Sequence, residues 1–153
     1  MRAQLPLSLA LVGSLWAAPV LAVDAPTPAD AKAMLGKAVA YYKDHGRKAA
    51  LDAFNKNQPP FSDRGLYVFC IGPDRTLVAD GEFRSFIGQS ADILKDASGK
   101  KLGQSFLDAA QKEGMSEVHY QFLDPATQLV KPKVSYVEKI DQDVCGVGTY
   151  EAN

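Results

Sequence analysis

Histidine and cysteine are scarce in this chain, two of each in 153 residues, and that scarcity leaves little material for a zinc or haem site. His45 and His119 stand far apart, and neither has a cysteine beside it. There is no C-x-x-C pair, and no base is obviously matched to Cys70 or Cys145, so a catalytic thiol has no support. Concentrated positive charge is missing too: 17 basic residues are interspersed with 18 acidic ones, for a net charge of −1. A nucleic-acid binder needs a basic face, so no nucleic-acid partner is expected. Beyond the first 22 residues, no apolar run approaches the ~18 residues that a bilayer span requires. Membrane insertion is therefore not expected either. Repeats and low-complexity tracts are absent. Gly146 and Gly148 are not a phosphate loop, because no third glycine follows at the needed spacing and no helix opens there. No metal and no cofactor is implied.

What the chain does have begins at its first residues. Arg2 gives a short positive start, Leu5 to Leu15 is apolar apart from small and turn residues, and Pro19 breaks the run. Val20-Leu21-Ala22 then presents small residues where a signal peptidase reads. Residues 1–22 are expected to be a secretory leader cut after Ala22, which makes the mature protein periplasmic or secreted. Roughly 130 residues remain, enough for one core and not for two. The expected division is a leader over 1–22, a flexible lead-in over 23–30 and one domain over 31–150.

Thr27, Pro28 and Asp30 form a helix start: a cap, a proline in the first turn and a carboxylate near the positive end. Ala31, Leu35, Ala38, Val39 and Tyr42 then recur at helical spacing. Gly46 is expected to end that helix, with a second short one over Lys48 to Phe54. After Pro59-Pro60 the period changes. Leu66 to Ile71 is a strand-length apolar run, and Gly72-Pro73-Asp74-Arg75 turns it into a second strand at Thr76 to Ala79. Glu82 to Gly114 is an insertion with a helix expected over Leu102 to Lys112. Val118, Tyr120 and Phe122 alternate with polar residues, and Val130 to Ile140 and Asp143 to Tyr150 supply two more strands. Their links are too short for crossover helices, so the sheet should be antiparallel. Cys70 and Cys145 both fall in strands. In an oxidising compartment an even count favours a disulfide, while two buried thiols held apart in one sheet remain the alternative.

This order, with the helix Ala33 to Tyr42, Gly65-Leu66-Tyr67-Val68-Phe69 ahead of Pro73-Asp74, Lys133-Val134-Ser135-Tyr136-Val137, and Gly146-Val147-Gly148-Thr149-Tyr150, resembles the single Cache domain. That family, a relative of the PAS fold, supplies extracytoplasmic sensor regions of bacterial chemoreceptors and kinases. The resemblance implies an α+β fold: a five-stranded antiparallel sheet, a long N-terminal helix on one face and the helical insertion on the other. It also implies a small pocket between sheet and insertion, often for short carboxylates. Two departures stand out. Similar chains usually have glycine where this one has Arg75, read here as a change of turn type, and often a histidine where this one has Ala79-Asp80-Gly81. In such sensors the chain normally continues into a membrane span and a signalling module; this sequence ends three residues after Tyr150, so a free-standing form is expected.

Strand alternation puts Lys133 and Ser135 on one face, with Val134 and Tyr136 on the other. A lysine beside a serine in an apolar pocket would hold a carboxylate through a point charge and a hydroxyl. A solvated lysine discouraging pairing on an edge strand is the competing reading. Tyr67, Tyr120 and Tyr136 suit either a pocket wall or core packing, and Arg84 could reach an anionic ligand. Asp80 would instead select an amine. Gly146 and Gly148, on one face, imply close approach of a ligand or of the N-terminal helix. The expected function is an exported small-molecule sensor acting through a partner such as a membrane-bound receptor or kinase, with the N-terminal helix as a docking or homodimer face. A small exported hydrolase or lyase is one alternative; an interaction protein whose pocket is filled by its own side chains is the other.

Overall fold

The computed structural model describes residues 24–151; the expected leader lies outside them. Helix α1, Pro28–Phe54, opens on a reciprocal box: Thr27 Oγ1 accepts from the Asp30 amide at 3.2 Å, and the Asp30 carboxylate accepts from the Thr27 amide at 2.8 Å. Two amides that a bare first turn leaves open are thereby satisfied. As expected, α1 is broken at Gly46 into two helical segments. At φ 80° this glycine bends the path, and helical geometry resumes through Phe54; only a residue without a Cβ takes that conformation freely.

The chain continues as β1 (Ser62–Asp63), β2 (Leu66–Ile71), β3 (Leu77–Asp80), two 3-10 turns at Arg84–Phe86 and Ala91–Ile93, α2 (Leu102–Ala109), β4 (Ser116–Asp124), β5 (Leu129–Ile140) and β6 (Asp143–Tyr150). Five strands form an antiparallel sheet in the order β3-β2-β6-β5-β4, as expected. β1 adds a sixth, two-residue strand beside the start of β2. α2 stops at Ala109, short of Lys112.

Alternation along the strands builds two cores. On one face Leu35, Ala38, Leu51 and Phe54 of α1 pack against Val68, Val134, Tyr136 and Val147. On the other, Leu102 and Phe106 of the insertion pack against Phe69, Val118, Tyr120 and Val137. Each fully buried large side chain contributes about 1.5–3 kcal/mol. Cys70 and Cys145 oppose each other on β2 and β6, with Cα atoms 4.1 Å apart, and are joined by a disulfide on the helix face. Closing a loop of 75 residues constrains the unfolded chain by ~4 kcal/mol at most.

Asp143, fully buried at the start of β6, accepts from Tyr42 Oη at 2.7 Å, Arg47 Nε at 2.9 Å and Arg47 Nη2 at 3.1 Å. These bonds tie both sides of the Gly46 bend to the β5–β6 hairpin. Burial, then the bond to Asp143, raises the Tyr42 phenol's pKa. Arg75 has φ 65°, so it occupies the left-handed corner that glycine would fill. The turn type need not have changed. Its guanidinium bonds Asp92 and, at 3.0 Å, Gln104. No described helix is long and apolar enough to cross a membrane.

Candidate ligand-binding site

Lys133 lies on β5, one strand in from the edge strand β4, so it is not the solvated edge lysine of the competing reading. It points to the insertion face and is only 3% exposed. Its side chain fits because β6 has no side chain at Gly148: a Cβ there would stand 2.9 Å from Lys133 Cε and 2.6 Å from Ser135 Oγ. The close approach inferred at the two glycines is therefore made by neighbouring sheet side chains. At Gly146 the neighbours are Phe69 and Val137; α1 lies on the other face.

Three rings surround the ammonium, with Nζ 4.7 Å from the Tyr150 centroid, 5.2 Å from Tyr67 and 5.4 Å from Phe122. Ring faces attract a cation but accept no conventional hydrogen bond. Among the described residues Nζ has no hydrogen-bond or ion-pair partner, and no fully buried side-chain nitrogen or oxygen lacks one, so the tip of Lys133 is reached by solvent. Burial pushes its pKa down to about 8, with the Asp80 carboxylate the main opposing influence. Ser135 is also buried, and its Oγ lies 2.8 Å from Tyr120 Oη.

Two spaces meet at this lysine. Between sheet and insertion, Phe69, Phe83, Phe86, Phe106 and Phe122 leave a hollow of only about 40 Å³, room for a few waters. Outside it, a cleft of about 770 Å³ runs between the lead-in segment, the start of β2 and the β4–β5 turn. Lys133, Gly148, Tyr67 and Phe83 border both. The lead-in is pinned along one wall: Thr149 Oγ1 donates to Pro26 O at 3.0 Å and Arg64 Nη1 to Asp24 O at 3.1 Å.

Of the residues singled out from sequence, Lys133, Ser135, Tyr67 and Tyr120 come together. Tyr136 does not: it is buried on the helix face with the Lys32 ammonium 4.7 Å above its ring. Arg84 does not either; it is exposed and donates to Asn55 O at 2.8 Å, securing the end of α1. Phe122 and Tyr150 were overlooked, although alternation from Tyr120 and Gly148 puts both on the pocket face. Asp80, weighed as an amine selector, lines the small hollow. Its Oδ1 accepts from the Phe83 and Glu82 amides at 2.7 and 3.0 Å, and burial raises its pKa against these bonds. His119 is exposed and bonds Glu151 at 2.7 Å. Among the described residues no group of three His, Cys, Asp or Glu side chains is placed to hold a metal ion.

This architecture, a five-stranded sheet between a long helix and an insertion, is matched by the family model described as single Cache domain 2, over residues 32–151. The chain belongs to that family. Three solved chemotaxis and chemosensory structures share the fold. A methyl-accepting chemotaxis protein from Vibrio parahaemolyticus RIMD 2210633 superposes with a TM-score of 0.64 at 22% identity, covering 80% of this chain and 86% of that one. A periplasmic sensor domain of a chemotaxis protein gives 0.60 at 23%, covering 79% and 88%. A Cache chemosensory domain described as recognising carboxylic acids gives 0.60 at 17%, covering 79% and 86%. No curated protein matches the chain. This Cache domain thus carries a largely buried lysine, without an acceptor among the described residues, where its sheet meets an open cleft.

Proposed function

We propose that this Cache domain is an exported binding module that recognises a small carboxylate or similar metabolite and passes its occupancy to a signalling partner. One observation carries the reading: Lys133 is 3% exposed as a residue, its ammonium opens onto a cleft, and it has no acceptor among the described residues. A buried charge left unpaired is costly, and an arriving carboxylate supplies the missing acceptor with a charge-assisted bond. The structural relative described as recognising carboxylic acids supports the same ligand class. The leader expected over 1–22, with cleavage after Ala22, fits a periplasmic or secreted protein; a membrane-bound receptor or kinase is the proposed partner. The exposed side of α1 is the proposed docking or homodimer face.

Turnover is not part of this reading, since the buried Ser135 hydroxyl is bonded to a phenol rather than to a base. The small size of the inner hollow favours one competitor, an interaction protein whose pocket is filled by its own rings. Thermal melting against carboxylates, amino acids and amines separates the two. A hundredfold excess of ligand over Kd stabilises the folded state by about 2.7 kcal/mol. The expected result is a carboxylate-induced shift that Lys133→Ala abolishes. A shift that survives this substitution removes Lys133 from the site. No shift with any compound, together with a stable protein complex, favours the competitor.

A further inference from the structure

The two spaces at Lys133 differ in size by more than an order of magnitude, about 40 Å³ inside and about 770 Å³ outside. The inner one has room for a few waters and no more, so any ligand longer than the shortest acids that is held by the ammonium must extend outward. The walls it then meets are apolar: Pro26 and Pro28 of the lead-in segment, Tyr67 and Phe83, Pro125 of the β4–β5 turn and Tyr150. The charges at the rim are chiefly acidic: Asp24, Glu82, Asp124 and Glu151. The two bordering cations are already engaged, Arg64 with Asp63 at 2.9 Å and Lys131 with Asp124 at 2.8 Å. A second carboxylate on the ligand would find like charge there and, among the described residues, no free cation.

We infer that the ligand is a monocarboxylate with an extended apolar body of about four or more carbons, its carboxylate on Lys133 and its body in the outer cleft. This rests on the reading of Lys133 as a carboxylate anchor and specifies what lies beyond that contact. It also gives ligand occupancy a mechanical outlet. The body touches Pro26 and Pro28 on either side of Thr27, the cap of α1, so filling the cleft bears directly on the start of the helix.

Calorimetric titration of the exported protein with acetate, butyrate, hexanoate and adipate tests the inference. Affinity should rise about fourfold for each methylene between acetate and hexanoate, the scale of burying apolar surface. Adipate, of the same length but with a second acid, should bind at least tenfold more weakly than hexanoate. Ala126→Trp, which places a ring at the cleft rim, should lower the hexanoate-to-acetate affinity ratio. Affinity that is flat or falls with chain length, while Lys133→Ala still abolishes acetate binding, overturns the inference and leaves the carboxylate anchor standing. Adipate binding as tightly as hexanoate, or a ratio unmoved by Ala126→Trp, also overturns it. If none of the acids binds, the anchor and the inference fail together.

Discussion

Each face of the sheet buries a charged side chain with a different fate, Asp143 on one and Lys133 on the other. On the helix face, Asp143 accepts three hydrogen bonds, from Tyr42 and Arg47, and nothing about it is left open. On the insertion face, Lys133 has three aromatic rings and, among the described residues, no acceptor. The same strands build both sites, so sheet geometry does not explain the contrast. Burial without pairing is unfavourable for any charge. The satisfied charge fixes the bend of α1 onto the hairpin, whereas the unsatisfied one is the proposed ligand anchor.

The largest expected effect tests the helix face as the structural one. Replacing Cys70 and Cys145 with alanine should lower stability by up to ~4 kcal/mol, read by urea denaturation, with carboxylate binding by the remaining folded protein retained. Loss of binding while the fold persists would mean the two faces are not separable. Asp143→Ala should cost about 2–4 kcal/mol; the upper range for a broken buried pair is discounted because the Arg47 side chain can turn toward water. The same denaturation experiment checks it, and a change below about 0.5 kcal/mol would show that Asp143 is no anchor.

Lys133→Met should do the reverse, stabilising the protein by about 1–3 kcal/mol as a buried charge gives way to an apolar chain of similar length, while carboxylate binding disappears. A destabilised Met variant would place Lys133 among structural charges beside Asp143. The pH dependence follows from the same site. The folded-state pKa of Lys133 is depressed to about 8 from 10.5, so between these values the unfolded chain holds more protons. The penalty for burying the ammonium is full below about pH 8 and is relieved as pH rises toward 10.5. Carboxylate affinity should run the other way, falling by up to tenfold per pH unit above about 8 as the cation is lost. Titration at pH 7 and pH 9 measures this. The smallest effect is expected at Arg75→Gly. Relief of the left-handed strain, about 1–2 kcal/mol, is offset by greater unfolded-chain freedom and by loss of the contacts to Asp92 and Gln104. The net change in melting stability should lie within about 0.5 kcal/mol.

Much of the scaffold was legible. The Thr27–Asp30 cap, the bounds of β2 and β6 and the two-residue alternation of β4 and β5 depend on near neighbours, and they stand as read. Alternation also put Lys133 and Ser135 together and Tyr136 apart from them. Other features depended on residues remote in sequence. Gly46 breaks α1 as its local signal implies, but the Tyr42 and Arg47 bonds to Asp143, about a hundred residues on, set how the two segments lie across the bend. Whether Cys70 and Cys145 were bonded turned on register, since only directly opposed positions on β2 and β6 bring the Cα atoms to 4.1 Å. Tyr150 and Phe122 enter the site only once their strands lie beside β5.

By itself the sequence determined the element order, the antiparallel sheet and the face on which each strand residue lies, because propensity, capping and periodicity act over a few residues. Only the tertiary structure decided that Lys133 is buried without a partner, that the inner hollow is filled by rings and that the lead-in segment walls an outer cleft. Those outcomes are sums over contacts from β2, β4, β5, β6 and the insertion, and no local pattern encodes the volume left when such distant side chains meet.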